Sequence, residues 1–166
     1  MMKTCVIFTS TAEHLLENFK RKAKNLEFIV PEKNKDGERF FPDGEVYMRL
    51  KRVKKLKGKR TIVLHSGAPS PNDSLIELKL ILQILKDHGI KSELFLTYFS
   101  YGQQDKAFEH GETNVAESLV KKFINYYGVK KIYIIDPHFG KMKWVKKYPI
   151  ISVSAIQILL DKARQD

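Results

Sequence analysis

Ser92-Glu93-Leu94-Phe95-Leu96-Thr97 runs directly into Tyr98-Phe99-Ser100-Tyr101-Gly102-Gln103-Gln104-Asp105-Lys106. The first six residues have the length and apolar character of a short buried strand. The next nine turn into a dense cluster of amide, carboxylate and ammonium groups. In open α/β sheets, ligands collect beyond the carboxyl ends of the strands, so this junction predicts both a sheet and the edge at which it binds.

Working outward, the same alternation recurs on both sides. Upstream, Thr61-Ile62-Val63-Leu64-His65 reads as a buried strand, followed by a Pro- and Ser-containing loop. A helix from about residue 72 carries Leu75, Ile76, Leu78, Leu80, Ile81, Leu82, Ile84 and Leu85 around most of its circumference, which makes it central to packing. Asn72 or Asp73, or a Ser74/Glu77 capping box, would begin it, and Gly89 would end it. Residues 3–9 and 26–30 predict strands joined by a helix that Ser10-Thr11-Ala12-Glu13 would cap. After the Asp43-Gly44 turn, Val46-Tyr47-Met48-Arg49-Leu50 alternates like a further strand.

Downstream, Thr113 or Asn114 caps a helix with a stripe of Val115, Leu119, Phe123 and Tyr126, and Gly128 closes it. Residues 130–135 form another apolar strand that stops abruptly at Asp136-Pro137-His138. A last strand over 149–153 and a helix over 155–163 complete the pattern. Strands alternating with helices predict one α/β domain over residues 1–166, a three-layer, mostly parallel sheet.

Composition narrows the partners. The 166 residues, 43% hydrophobic, suffice for one independent core. A formal charge of +11 predicts a polyanionic partner, such as a nucleotide, phosphosugar, nucleic acid or membrane surface, without choosing among them. The one cysteine, Cys5, lies in a strand pattern and reads as a packed residue. No apolar run has the length of a membrane span and no signal peptide is evident, which together predict a cytoplasmic location. Residues 51–60 carry seven basic side chains. No aromatic side chains are interleaved to stack bases, so a solvated turn is the reading and nucleic acid is not the expected partner.

The two strand-end clusters supply the chemistry. Asp105 and Asp136 are hard oxygen ligands or bases, Gln103 and Gln104 are hydrogen-bond forks, and Lys106 and His138 carry a cation or a proton. That set suits a phosphorylated ligand with a divalent metal. If 136–138 is extended, Asp136 and His138 face the same way and converge on one ligand. Magnesium prefers oxygen, making Asp136 the better ligand, while His138 can meet a phosphate. Neither a Walker phosphate loop nor a dinucleotide fingerprint is present.

Four stretches together resemble the amino-terminal half of ribose-phosphate pyrophosphokinase, or phosphoribosyl pyrophosphate synthetase. They are Phe40-Phe41-Pro42-Asp43-Gly44-Glu45, Pro71-Asn72-Asp73-Ser74-Leu75-Ile76-Glu77-Leu78, residues 98–106, and Asp136-Pro137-His138. The resemblance implies a type I phosphoribosyltransferase-like domain. It also implies transfer of a diphosphoryl group from ATP to ribose 5-phosphate with Mg2+, giving phosphoribosyl pyrophosphate and AMP. By resemblance, Phe41, Asp43 and Glu45 meet adenine across a subunit boundary, in a homo-oligomer. Gln103, Gln104, Asp105 and Lys106 line the ATP, and Asp136 and His138 serve the metal-triphosphate and catalysis.

Two departures stand out. The family's arginine before Gln-Asp is Gln103 here, a neutral amide in place of a permanent bidentate cation. The family's phosphoribosyl-binding loop and its carboxyl-terminal domain have no counterpart in these residues, so ribose 5-phosphate is expected to bind only with a partner that carries that half. Three readings follow: half of a diphosphokinase, a non-catalytic nucleotide-binding or regulatory subunit of a synthetase assembly, and a basic nucleic-acid-binding module.

Overall fold

A computed structural model describes residues 3–164. Its strands are β1 (Thr4–Phe8), β2 (Leu26–Ile29), β3 (Arg60–Ser66), β4 (Ser92–Tyr98), β5 (Ile132–Ile135) and β6 (Ile150–Val153). They form one sheet in the order β2-β1-β3-β4-β5-β6, every pair parallel. The helices are α1 (Leu16–Lys22), α2 (Pro71–Asp87), α3 (Val115–Asn125) and α4 (Ile156–Ala163). The α/β, three-layer expectation holds, and the sheet is parallel throughout.

Strand alternation sorts the core into two layers. Cys5 and Ile7 of β1 join Val63, Leu94, Leu96, Ile132 and Ile134 against Leu78, Ile81, Leu82 and Leu85 of α2 and Val120 and Phe123 of α3. Val6 and Phe8 face the other way, with Leu64, onto Ala12, Leu15, Leu16 and Phe19. Phe8 meets Phe19 and Phe28 edge to face, at 5.3 and 5.9 Å. Cys5 is fully buried as expected, and burial, with Glu27 adding to it against Lys59, pushes its thiol up to about 11. It is a packing residue, not a nucleophile.

The second layer does not extend across the sheet. On the face carrying Phe8, the β4–β6 half presents Phe95, Tyr133 and Ile135 half-buried and Ile151 exposed. Helix α4 buries none of its residues, and Ile158 is 72% exposed.

Three local expectations are corrected. Residues 46–50 are not a strand. Only an isolated antiparallel bridge joins Phe40 to Val46, because the chain doubles back around Gly44: Phe41 N donates to Glu45 O and Tyr47 N to Arg39 O. This small hairpin stands off the sheet. The Ser10/Glu13 capping box does not form, since Glu13 pairs with Arg39 and residues 10–15 make a 3₁₀ turn before α1. In α2, which begins at Pro71, no side chain caps the amino end. Glu77 instead accepts from the Ser10 backbone N–H at 2.8 Å and from its hydroxyl at 2.5 Å. Asn114 does cap α3 as expected, accepting from Glu117 N at 2.9 Å.

The Glu77 carboxylate thus ties the end of β1 to α2 from a buried position. Replacing it leaves two donors of half-buried Ser10 without their charged acceptor. Glu77→Ala is expected to cost about 3 kcal/mol and Ser10→Ala about 1 kcal/mol in urea unfolding. Equal losses for the two variants would show that the carboxylate does not hold the Ser10 backbone.

Candidate functional site at the carboxyl edge of the sheet

The strand order reverses at β1, since the chain leaves β1 toward β2 and returns to β3 on its other side. Loops at such a reversal diverge and open a crevice. A cavity of about 300 Å³ lies there, lined by Ser10 and Thr11 after β1, Ser70 and Asp73 after β3, and Arg39, Phe40 and Tyr47 of the hairpin. Among the predicted site residues, none lines it. Sequence reading missed this crevice because it is made by topology and by a hairpin mistaken for a strand.

Beside it, between the ends of β3 and β4, is a cleft of about 490 Å³. Gly67, Pro71, Asn72, Tyr98, Gln103 and Gln104 line it. Gln103 and Gln104 are therefore together in a concave site. Tyr101 holds φ at 61°, uncommon for a residue with a Cβ. Its hydroxyl bonds Asn72 Oδ1 on α2, and Gln104 N donates to Tyr101 O at 3.2 Å. The turn is pinned from several sides.

Asp105 lies away from that cleft and is buried. Its carbonyl accepts from Trp144 Nε1 at 3.1 Å. Trp144 stacks at a tilt on Phe139, 4.9 Å away, and Phe139 meets Phe99 edge-on at the same distance. This aromatic floor joins the 98–106 stretch to the 136–140 stretch, a link that only the fold reveals. Lys106 extends over the exposed Phe108 ring, 4.6 Å from its centroid.

Asp136 and His138 are both exposed at the end of β5. The extended geometry expected for 136–138 is corrected: Asp136 has φ 37°, and Pro137 O accepts from Gly140 N, closing a turn. Alternation therefore does not orient the pair. Asp136 Oδ2 accepts from Ala155 N at 3.0 Å, which commits one oxygen to the start of α4. Among the described residues, no group of three or more His, Cys, Asp or Glu could hold a metal. One carboxylate and one imidazole fit Mg2+ only where phosphate and water supply the remaining oxygens.

Phe41, Asp43 and Glu45 are exposed on the hairpin. Phe41 packs edge-on against Tyr47 at 5.7 Å, and Asp43 Oδ1 accepts from Glu45 N at 3.1 Å. Neither the cleft nor the crevice includes these three residues. The basic run 51–60 is a 3₁₀ turn leading into β3; Val53 and Leu56 are buried, while Lys51, Lys59 and Arg60 pair with Glu32, Glu27 and Glu93.

The floor of the cleft has one tight approach. A Cβ on Gly67 would lie 2.2 Å from Ser100 Oγ and 2.7 Å from Ser100 N. Behind it sits His65, buried and pushed down from the ordinary 6.5 to about 4 by desolvation. Between those values the unfolded chain binds a proton that the folded chain refuses. Stability is therefore fully present above about pH 6.5, falls as pH drops toward 4, and loses nothing further from this group below that. The drop is about 3 kcal/mol, and His65→Phe is expected to remove that part of the slope in urea midpoints measured from pH 7 to 4. An unchanged slope would assign the acid sensitivity to carboxylates.

Comparison with known proteins gives a consistent set of relatives. The family model described as the N-terminal domain of ribose phosphate pyrophosphokinase matches residues 7–128. Ribose-phosphate pyrophosphokinase of Methanothermobacter thermautotrophicus is 30% identical over 124 residues, 74% of this chain and 42% of that protein. The Pyrococcus furiosus protein of the same name is 30% identical over 137 residues, covering 82% and 44%. A crystal structure of phosphoribosylpyrophosphate synthetase from Mycobacterium smegmatis aligns with TM-score 0.80 at 20% identity, covering 98% of this chain and 52% of that one, a likeness of fold. The chain spans about half, or less, of the length of these relatives.

Proposed function

Because the chain belongs to the family of the N-terminal domain of ribose phosphate pyrophosphokinase, we propose that it supplies the ATP side of a diphosphoryl-transfer site. The reaction would move the diphosphoryl group of ATP to ribose 5-phosphate, releasing AMP. The observation that carries this reading is the meeting of Gln103 and Gln104 in a cleft at the carboxyl edge, on the stretch that resembles the family's ATP segment.

In this reading Gln103, Gln104 and Lys106 contact the nucleotide, and Asp105 supports the turn from beneath. Mg2+ would be held through Asp136, His138, phosphate oxygens and water, spreading the charge that develops on the transferred group. Phe41, Asp43 and Glu45 stand clear of their own subunit's cleft, which suits contact with adenine in a neighbouring copy. The protein acts as one domain in a homo-oligomer in the cytoplasm, and with a further carboxyl-terminal half it would be active. That half would cover α4 and the open face of β4–β6, where exposed Ile156, Ile158 and Leu159 have nothing to pack against among the described residues.

A second reading, a non-catalytic nucleotide-binding or regulatory subunit, is favoured by Gln103, because a neutral amide stabilises phosphate charge less than arginine. The nucleic-acid reading has less support, since carboxylates pair with three of the seven basic groups in 51–60.

ATP with Mg2+ is expected to raise the melting temperature of the isolated chain, and AMP to form from ATP and ribose 5-phosphate only when a family carboxyl-terminal domain is added. Gln103→Arg is expected to tighten ATP binding about tenfold. No protection by any adenine nucleotide would sink the first reading and the nucleotide-binding form of the second. RNA binding with a steep salt dependence and indifference to ATP would promote the third.

A further inference from the structure

Hydrogen bookkeeping around His65 defines a buried feature that no motif announces. Thr11 Oγ1 lies 2.7 Å from Ser66 O, which can only accept, so the Thr11 proton is committed there. Thr9 Oγ1 is 3.0 Å from Thr11 Oγ1 and must be the donor of that pair. Its other outlet, Leu64 O at 3.4 Å, also accepts only. A Thr9 proton turned to His65 Nδ1 instead would leave the two threonine oxygens 3.0 Å apart with no hydrogen between them, so toward Nδ1, 3.1 Å away, Thr9 accepts. His65 therefore carries its hydrogen on Nδ1, and Nε2 presents a bare lone pair.

That nitrogen is buried with no protein partner, and so is Ser100 Oγ. Both residues line one small cavity of about 10 Å³, whose remaining wall is Leu75, Leu78, Leu96, Leu119, Phe99, Phe123 and Tyr98. This is about the room that a single water needs, and a water needs at least two polar partners. Ser100 sits against Gly67, where any side chain would collide with its hydroxyl.

We propose that one water molecule bridges Ser100 Oγ and His65 Nε2, and that His65 is thereby a positioning residue for the turn that carries Gln103 and Gln104. The water accepts from the Ser100 hydroxyl and donates to the imidazole. The complete chain runs Ser100, water, His65, Thr9, Thr11 and Ser66 O, joining the ends of β4, β3 and β1. It also runs between the two concave sites, since Thr11 lines the crevice and Gly67, against Ser100, lines the cleft. The strained Tyr101 follows Ser100 directly, so the bridge fixes the residue from which the turn departs. What the turn binds rests on the function proposed above; the tautomer and the water do not.

The test uses the chain as it is. Long-range ¹H–¹⁵N NMR at pH 7 is expected to show His65 Nδ1 protonated and Nε2 unprotonated, and a crystal structure to show one water between Nε2 and Ser100 Oγ. The opposite tautomer, or a direct contact with no water, overturns the bridge. For the positioning role, Ser100→Ala and His65→Phe are each expected to speed exchange of the Gln104 amide about tenfold, with the double variant no faster than the faster single one. Multiplying effects, or none at all, overturn it, while loss of nucleotide binding in the wild type alone would sink only the functional reading. Should His65→Phe fail to fold, Ser100→Ala and the wild-type spectra still decide.

Discussion

A sheet whose strands all run parallel needs cover on both faces, because its crossovers and apolar strands leave no side suited to water. Here that constraint is met for β1 and β3 and on one face of β4 and β5, while the edge strand β2 is half-covered. The other face of β4–β6 is only partly shielded, and α4 lies uncovered beside it. Burial of apolar surface is worth about 25 cal/mol per Å², so a helix with four large apolar side chains in water represents stabilisation not realised within the described residues. The site inherits this arrangement, since Asp136 bonds the first turn of α4 at Ala155. The orientation of the β5 end is thus linked to that of α4.

The two polar strand ends depend on a common support. Phe99, Phe139 and Trp144 pack beneath them, and the Trp144 indole bonds the Asp105 carbonyl. A shift in either stretch is therefore transmitted through close-packed rings rather than absorbed by a loose loop. Glu77 plays the matching role on the other side, drawing the β1 end to α2. The site residues lie on turns, and these contacts tie the turns to the rigid strands and helices, as precise positioning requires.

Strand positions were legible from apolar runs and their limits, and α3 from its cap and from Leu119 and Phe123, because these are local signals, although the expected stripe member Tyr126 is exposed and Ala116 and Val120 are buried instead. The hairpin at 39–47 was not. Period-two alternation in Val46-Tyr47-Met48-Arg49-Leu50 is the same for a strand in a sheet and for an extended leg that leaves it, and only pairing distinguishes them. The capping boxes failed because distant partners outcompeted the local ones: Arg39 for Glu13, Ser10 for Glu77. The location of Gln103 and Gln104 at a strand end was readable, whereas the left-handed Asp136, the aromatic floor and the His65 chain all depend on contacts between segments far apart in sequence. His65 looked like one more residue of an apolar strand.

The charge pattern bears on what the cleft can do alone. A net charge of +11 suggests abundant cations for phosphate, yet the wall of the cleft carries amides and tyrosines, with Gln103 where the family has arginine. Part of the positive charge is spent at the opposite end of the sheet, where Lys59 and Arg60 are held by Glu27 and Glu93. An amide can orient a phosphate oxygen but cannot neutralise it, and in a partly desolvated cleft that difference grows as the dielectric falls. Transfer of a diphosphoryl group develops negative charge that positioning alone does not stabilise. In the proposed reaction a metal ion and cations from outside this domain would have to supply that stabilisation, and a segment docked on α4 would lie near the β5 end, since Asp136 bonds the Ala155 backbone that leads into α4.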